Sequence, residues 1–272
     1  MSLAIQTTPA SRYGVKQVVK SEILKALTLP STAITLGLTV VFGLLVTGLV
    51  TNNAVGHHLD YYQGFDPTQA ALTGLIVAGL TGGVFGALLI TGEYSSGTIR
   101  STLSATPRRP ILLTAKLGVT AAAMVVFCEI LSFVAFFMGQ AILSTGGAPS
   151  ASLGSPGALR AVWMTGLFIA LLALMSFGFG LICRSTAGAI SAFVAVVFVL
   201  PLVIRGISES ATRWTPTRIL VNSIMNTTVQ TGGGPKGGPI QDFSPGVGLL
   251  VMAVYAAIAL AAGSVLFMKR DA

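Results

Sequence analysis

Apolar residues along the chain gather into six long runs, 31–51, 69–91, 117–143, 161–182, 186–204 and 246–268. Polar and charged residues are concentrated in the segments between them. A helix needs about 20 mostly apolar residues to cross roughly 30 Å of hydrocarbon, and every run is close to that length. Five runs carry no charge and the third carries one, Glu129. The pattern predicts an all-α polytopic membrane protein with six transmembrane helices in a single domain, residues 1–272. The first run is too long for a signal-peptide core and is read as a retained span. Only Cys183, Arg184 and Ser185 separate the fourth run from the fifth, so a tight turn is required there.

The connecting segments have patterns of their own. Over 15–29, Val15, Val18, Val19, Ile23 and Leu27 recur at helical spacing, while Lys16, Lys20 and Lys25 fall mostly on the other side. This predicts an amphipathic helix lying in the membrane interface, an elbow before the first span. Residues 92–110 predict a short surface helix. Glu93 suits its N-terminus, Tyr94, Thr98, Ile99 and Leu103 share one face, and Pro107 and Pro110 end it. That helix either docks a soluble partner or is anchored to anionic head groups through Arg108 and Arg109. The segment 144–158, rich in Ser, Gly and Pro, reads as a flexible linker. The segment 205–245 contains apolar pieces too short to span, which suit re-entrant outer helices.

Composition narrows the class. Hydrophobic residues are 53% and charged residues 9%, against about 25% charge in soluble domains; this excludes an ordinary soluble enzyme and a disordered chain. The net charge of +8 would suggest nucleic acid in a soluble protein. Here it belongs to sparse loop residues that set orientation. With both termini cytoplasmic, only Arg160, Arg205, Arg213, Arg218 and Lys236 lie outside, and the other eleven of the 16 basic residues lie inside. The positive-inside rule favours that arrangement in the plasma membrane.

Candidate chemistry is thin. His57 and His58, near Asp60 and Asp66, lack a third strong ligand at a set spacing, so no metal site is expected. Cys128 and Cys183 lie at different depths and are read as packing residues rather than a disulfide. Glu129 lies about 18 Å into its span. It is either a proton relay or substrate contact, or the acceptor of an interhelical hydrogen bond from Ser or Thr. The pairs Gly79–Gly83 and Gly82–Gly86 permit close helix approach, and Pro201 should kink the fifth span. The sequence has no phosphate-binding G-x-x-x-x-G-K-[ST] loop, no H-E-x-x-H and no G-x-S-x-G. No catalytic residue is assigned and the chain is not read as an enzyme.

Four stretches resemble the membrane subunit of a type-2 ATP-binding-cassette exporter of the actinobacterial kind. They are Val18–Lys25, Gly92–Arg100 with Pro107-Arg108-Arg109 behind it, Arg184–Ala189, and the ending Lys269-Arg270-Asp271-Ala272. The resemblance implies that the Glu-Tyr-Ser-Ser-Gly-Thr segment is a coupling helix docking on a separate ATPase. Glu93, Tyr94, Ser96, Gly97, Thr98 and Arg100 would be contacts, and Arg184 a second contact. It implies two ATPase copies holding ATP and Mg, a second permease copy forming a homodimer, and efflux of a drug, antibiotic, lipid or other amphipathic molecule. The alternatives are a proton-coupled carrier using Glu129 and a non-transport sensor or assembly factor. The bilayer is the other expected partner, and nucleic acid is not.

Overall fold

The computed structural model describes residues 15–28, 30–55, 65–105, 109–208, 210–224 and 242–269. Every described element is helical. Helix α1 (Val15–Thr28) precedes α2 (Pro30–Val55). Helices α3 (Pro67–Thr73) and α4 (Leu75–Ser95) follow, then α5 (Thr98–Ala105), α6 (Arg109–Thr145) and α7 (Ala158–Cys183). The fifth run is built from α8 (Thr186–Val194), a π-helical turn (Ala195–Val199) and α9 (Leu200–Ile207). A 3-10 turn (Ser210–Trp214), α10 (Pro216–Ile224) and α11 (Pro245–Lys269) complete the chain. Six helical stretches are long and apolar enough to cross a membrane, and they coincide with the six apolar runs. The protein is an all-α polytopic membrane protein.

Proline punctuates these helices. It stands at the first or second position of α2, α3, α6, α10 and α11, where its missing N–H costs nothing and its fixed φ suits the first turn. Pro110 therefore opens α6; the expectation that it ends the preceding surface helix is corrected. Asp66 caps α3, its Oδ1 accepting from the amides of Thr68 at 2.8 Å and Gln69 at 3.2 Å. That role accounts for an aspartate considered beside the histidine pair; His57 and His58 themselves lie outside the described residues.

Helix α7 is the packing axis. It carries the longest series of buried residues, among them Phe168, Ile169, Leu172 and Phe177. The glycine series of α4 faces it: Gly79 meets Leu172, Gly82 meets Ile169, and Gly86 lies directly against the Ala173 backbone. Small residues thus let two apolar helices approach closely. On α2, α9 and α11, large apolar side chains such as Ile34, Leu49, Leu202, Leu250 and Ile258 remain exposed. These faces suit lipid or another membrane chain.

The turn between the fourth and fifth spans is as tight as expected. Arg184 adopts φ 53° and ends α7, and Ser185 caps α8 by accepting from the Gly188 amide. Pro201 acts differently from a simple kink. Ahead of it the helix widens into the π-helical turn, with the Leu200 amide donating to the Ala195 carbonyl. Residues 146–157 form a series of hydrogen-bonded turns rather than a bare linker. Gln140 ties it down by accepting from the Ala151 amide at 2.7 Å while donating to the Pro67 carbonyl. Within the segment 205–245, residues Pro216–Ile224 form α10, which the Arg218–Asp242 ion pair at 2.8 Å holds to the residues just before α11. Residues 225–241 lie outside the described set. Cys128 is buried and Cys183 exposed, both free, so only Cys128 serves as a packing residue.

The α4–α7 contact makes a direct prediction. Gly86→Val would force a side chain onto the Ala173 backbone, and overpacking of this kind costs about 1–3 kcal/mol. Thermal unfolding in detergent should show a lowered midpoint. Gly118→Ala, where an added Cβ meets nothing within 4 Å, should leave the midpoint unchanged or slightly raised.

Candidate functional site

The GEYSSGT segment is not one helix. Gly92, Glu93, Tyr94 and Ser95 form the last turn of α4, Ser96 caps it, and Gly97 turns the chain at φ 71°. Glycine suits this left-handed corner because it has no Cβ to clash. Helix α5 begins only at Thr98. Glu93 is thus at a helix C-terminus, where the dipole disfavours a carboxylate, and not at the N-terminus the sequence suggested. It is also buried, with its carboxylate turned into the bundle.

What stabilises Glu93 is a set of charges drawn from three helices. Lys116 of α6 is buried and its Nζ lies 2.7 Å from Glu93 Oε1 and 2.6 Å from Glu22 Oε2 of α1. Lys25 of α1 approaches Glu22 Oε1 at 3.2 Å and Glu93 Oε1 at 3.3 Å. Its ammonium also donates to Thr102 Oγ1 of α5 at 3.4 Å. Burial alone would lower the Lys25 pKa, but the facing carboxylates of Glu93 and Glu22 outweigh it and hold the value above the usual 10.5. Lys25 is thus turned into the bundle, whereas Lys16 and Lys20 are exposed. Sequence reading placed Lys25 and Glu93 in separate segments and passed over Lys116 and Glu22. The available signal was an acidic and a basic residue, Glu93 and Lys116, just outside the facing ends of two successive apolar runs.

The surface beside this cluster is polar. Ser95, Ser96, Thr98 and Ser101 are exposed, and Ser96 Oγ and Thr98 Oγ1 bridge the Gly97 corner at 2.9 Å. Ile99 turns inward against Ile90, Leu113, Phe177, Leu181 and Phe267, anchoring α5 to the bundle. Arg184 sits over the Tyr94 ring at 5.5 Å, and Thr186 Oγ1 donates to Thr91 Oγ1 at 3.0 Å. The end of α4 and the α7–α8 turn are therefore adjacent. The structure brings together Tyr94, Ser96, Gly97, Thr98 and Arg184. The side chains of Arg100 and Arg109, and residue Arg108, lie outside the described set.

Glu129 stands apart from this site. It is buried between α6 and α7, its carboxylate packed against Gly166. Both oxygens lack a hydrogen-bond partner among the described residues. The expected bond from a Ser or Thr on a neighbouring helix is not made; Ser132, on α6 itself, donates to the Val162 carbonyl at 2.8 Å. Among the described residues, no group of three or more His, Cys, Asp or Glu could hold a metal ion.

Residues 57–272 match the family described as Protein of unknown function (DUF2705), and the chain belongs to that family. No curated protein matches the chain.

Removing one member of the charge cluster should be costly. Lys116→Met leaves Glu22 and Glu93 with only the partly exposed Lys25 to balance them and should destabilise the protein by about 3–5 kcal/mol, read as a lowered thermal midpoint. Combining it with Glu93→Gln should recover part of that loss. Lys25 has a raised folded-state pKa, so its contribution is fully present below the unfolded value of 10.5 and is lost as pH rises through the folded value. The difference in thermal midpoint between the unsubstituted protein and Lys25→Met should therefore shrink at pH above 10.5.

Proposed function

We propose that the chain is the membrane-spanning subunit of an ATP-driven ABC exporter in the plasma membrane, with both termini cytoplasmic. On this reading the α1–α5 end of the bundle is the cytoplasmic end. A separate ATPase docks on α5, the Gly97 corner and the α7–α8 turn. The observation that carries the reading is the pairing of an exposed polar helix with a buried brace. α5 offers a polar face to solvent, while Ile99 and the Lys25–Thr102 hydrogen bond fasten it to the spanning helices. A force applied to α5 would then be passed to α1, α4 and α6 together. Tyr94 and Arg184 support the reading by joining the two expected contacts into one patch.

The transport unit is two such chains with two ATPase copies. The ATPases hold ATP and Mg, and this chain binds no cofactor and catalyses no reaction. The exposed apolar faces of α2 and α9 are the surfaces on which two copies would meet and enclose a path for an amphipathic cargo. Movement of spanning helices as rigid bodies would alternate that path between the two sides.

A second reading rests on Glu129. A bare carboxylate inside a membrane bundle is costly and is a functional candidate by default. In a proton-coupled carrier it would take up and release the coupled proton.

Affinity purification from native membranes in mild detergent, with mass spectrometry of what copurifies, separates the two. The exporter reading expects a nucleotide-binding subunit. Ser95→Arg combined with Ser101→Arg, both at exposed positions, should reduce its recovery at least tenfold, an effect of about 1.4 kcal/mol or more. The thermal midpoint should not change. Absence of any ATPase, with transport in vesicles driven by a pH gradient and abolished by Glu129→Gln, would replace the exporter by the carrier.

A further inference from the structure

Two adjoining cavities, of about 120 Å³ and 370 Å³, open beside α1, α2, α4 and α6. They share Lys25, Thr32, Phe85, Leu89 and Glu93 in their walls. The smaller runs from the charge cluster into apolar surface formed by Leu36, Val119, Met124 and Phe127. The larger adds Ser31, Thr35 and Ser96. One end of the cleft is therefore polar and the other is lined by aliphatic and aromatic groups, the layout of a site for an amphiphile.

The hydrogen bonding inside the cluster is incomplete. Glu93 Oε2 is buried with no partner among the described residues, an arrangement that costs free energy unless a donor reaches it. Lys116 Nζ has three N–H bonds and spends two, on Glu22 and Glu93. The site thus offers one unused acceptor and one unused donor. Its formal charge is zero, since Lys25 and Lys116 balance Glu22 and Glu93. A charged head group would leave an uncompensated charge in a buried place. A hydroxyl adds no charge, can donate to Glu93 Oε2, and can accept from Lys116.

We propose that this cleft binds a neutral single-chain amphiphile with a hydroxyl head, a monoacylglycerol or a long-chain alcohol. The chain lies along Leu36, Phe85, Met124 and Phe127, and the head reaches the charge cluster. The assignment stands on this cleft alone and does not depend on ATPase docking.

The test uses the full chain in phosphatidylcholine nanodiscs. Three probes carry the same photoreactive hexadecyl chain and differ in head: a glycerol ester, an ammonium and a carboxylate. The glycerol ester should label peptides containing Leu36, Phe85 or Phe127 about tenfold more than either charged probe, a difference of about 1.4 kcal/mol. Ala123 lines the smaller cavity and is exposed, so Ala123→Phe should fill the cleft without disturbing the core and should reduce labelling about tenfold. Equal labelling by all three probes, a preference for a charged head, or no labelling of these peptides would each overturn the proposal. The head-group preference of the unsubstituted protein decides the matter whether or not the variant folds.

Discussion

An ammonium group withdrawn from water must find negative charge at short range, and that requirement at Lys116 organises one end of this protein. Charged groups lose much of their hydration on burial, and only close, well-directed partners offset the loss. Lys116 finds Glu22 on α1 and Glu93 on α4 within 2.7 Å. Helices α1, α4 and α6 are thereby held in one register. Lys25 closes the arrangement by contacting both glutamates, and through Thr102 it extends the arrangement to α5. A purely apolar contact among these helices would tolerate sliding, whereas four charges with paired distances do not.

The rest of the bundle is organised by shape. Within a bilayer, burying apolar surface between helices gains little over leaving it against lipid, so close packing and small residues decide which helices meet. The glycine series on α4 meets α7 for this reason. Helices α2, α9 and α11 lack a comparable contact on their outer faces and keep large apolar side chains exposed. The charge cluster and the glycine contact thus divide the work. One sets register at the α1–α5 end, the other sets separation near the middle.

These two causes differ in how far the sequence reveals them. The spans were legible because length and hydropathy are properties of a contiguous segment. The glycine spacing on α4 was legible because helical periodicity puts Gly79, Gly82, Gly83 and Gly86 near one another, although the sequence does not say which helix they face. The tight Cys183–Ser185 turn followed from the absence of residues to make a longer one. The charge cluster was not legible, since its members are separated by 94 residues between Glu22 and Lys116, and no local pattern marks two distant residues as partners. Read locally, Glu93 looked like an N-terminal helix residue on the surface. Gly97 was the hint to the contrary, because a left-handed corner divides a helical pattern without disturbing its apolar spacing.

That corner has a mechanical consequence under the exporter reading. Had α4 continued unbroken into α5, a partner pushing on α5 would bend or tilt a single long helix. With Gly97 between them, α5 can be carried as a separate piece, and what it moves depends on its side-chain attachments. Ile99 attaches it to the apolar cluster that includes Phe177 of α7 and Phe267 of α11, while Thr102 attaches it to Lys25 and so to Glu22, Glu93 and Lys116. A displacement of α5 would therefore reach α7 and α11 through packing and α1, α4 and α6 through charge. Packing yields over short distances, but a buried ion pair pulled apart loses its compensation at once. The stiffer route runs through the charges, so α1, α4 and α6 should move as one body while the glycine contact between α4 and α7 accommodates the shift.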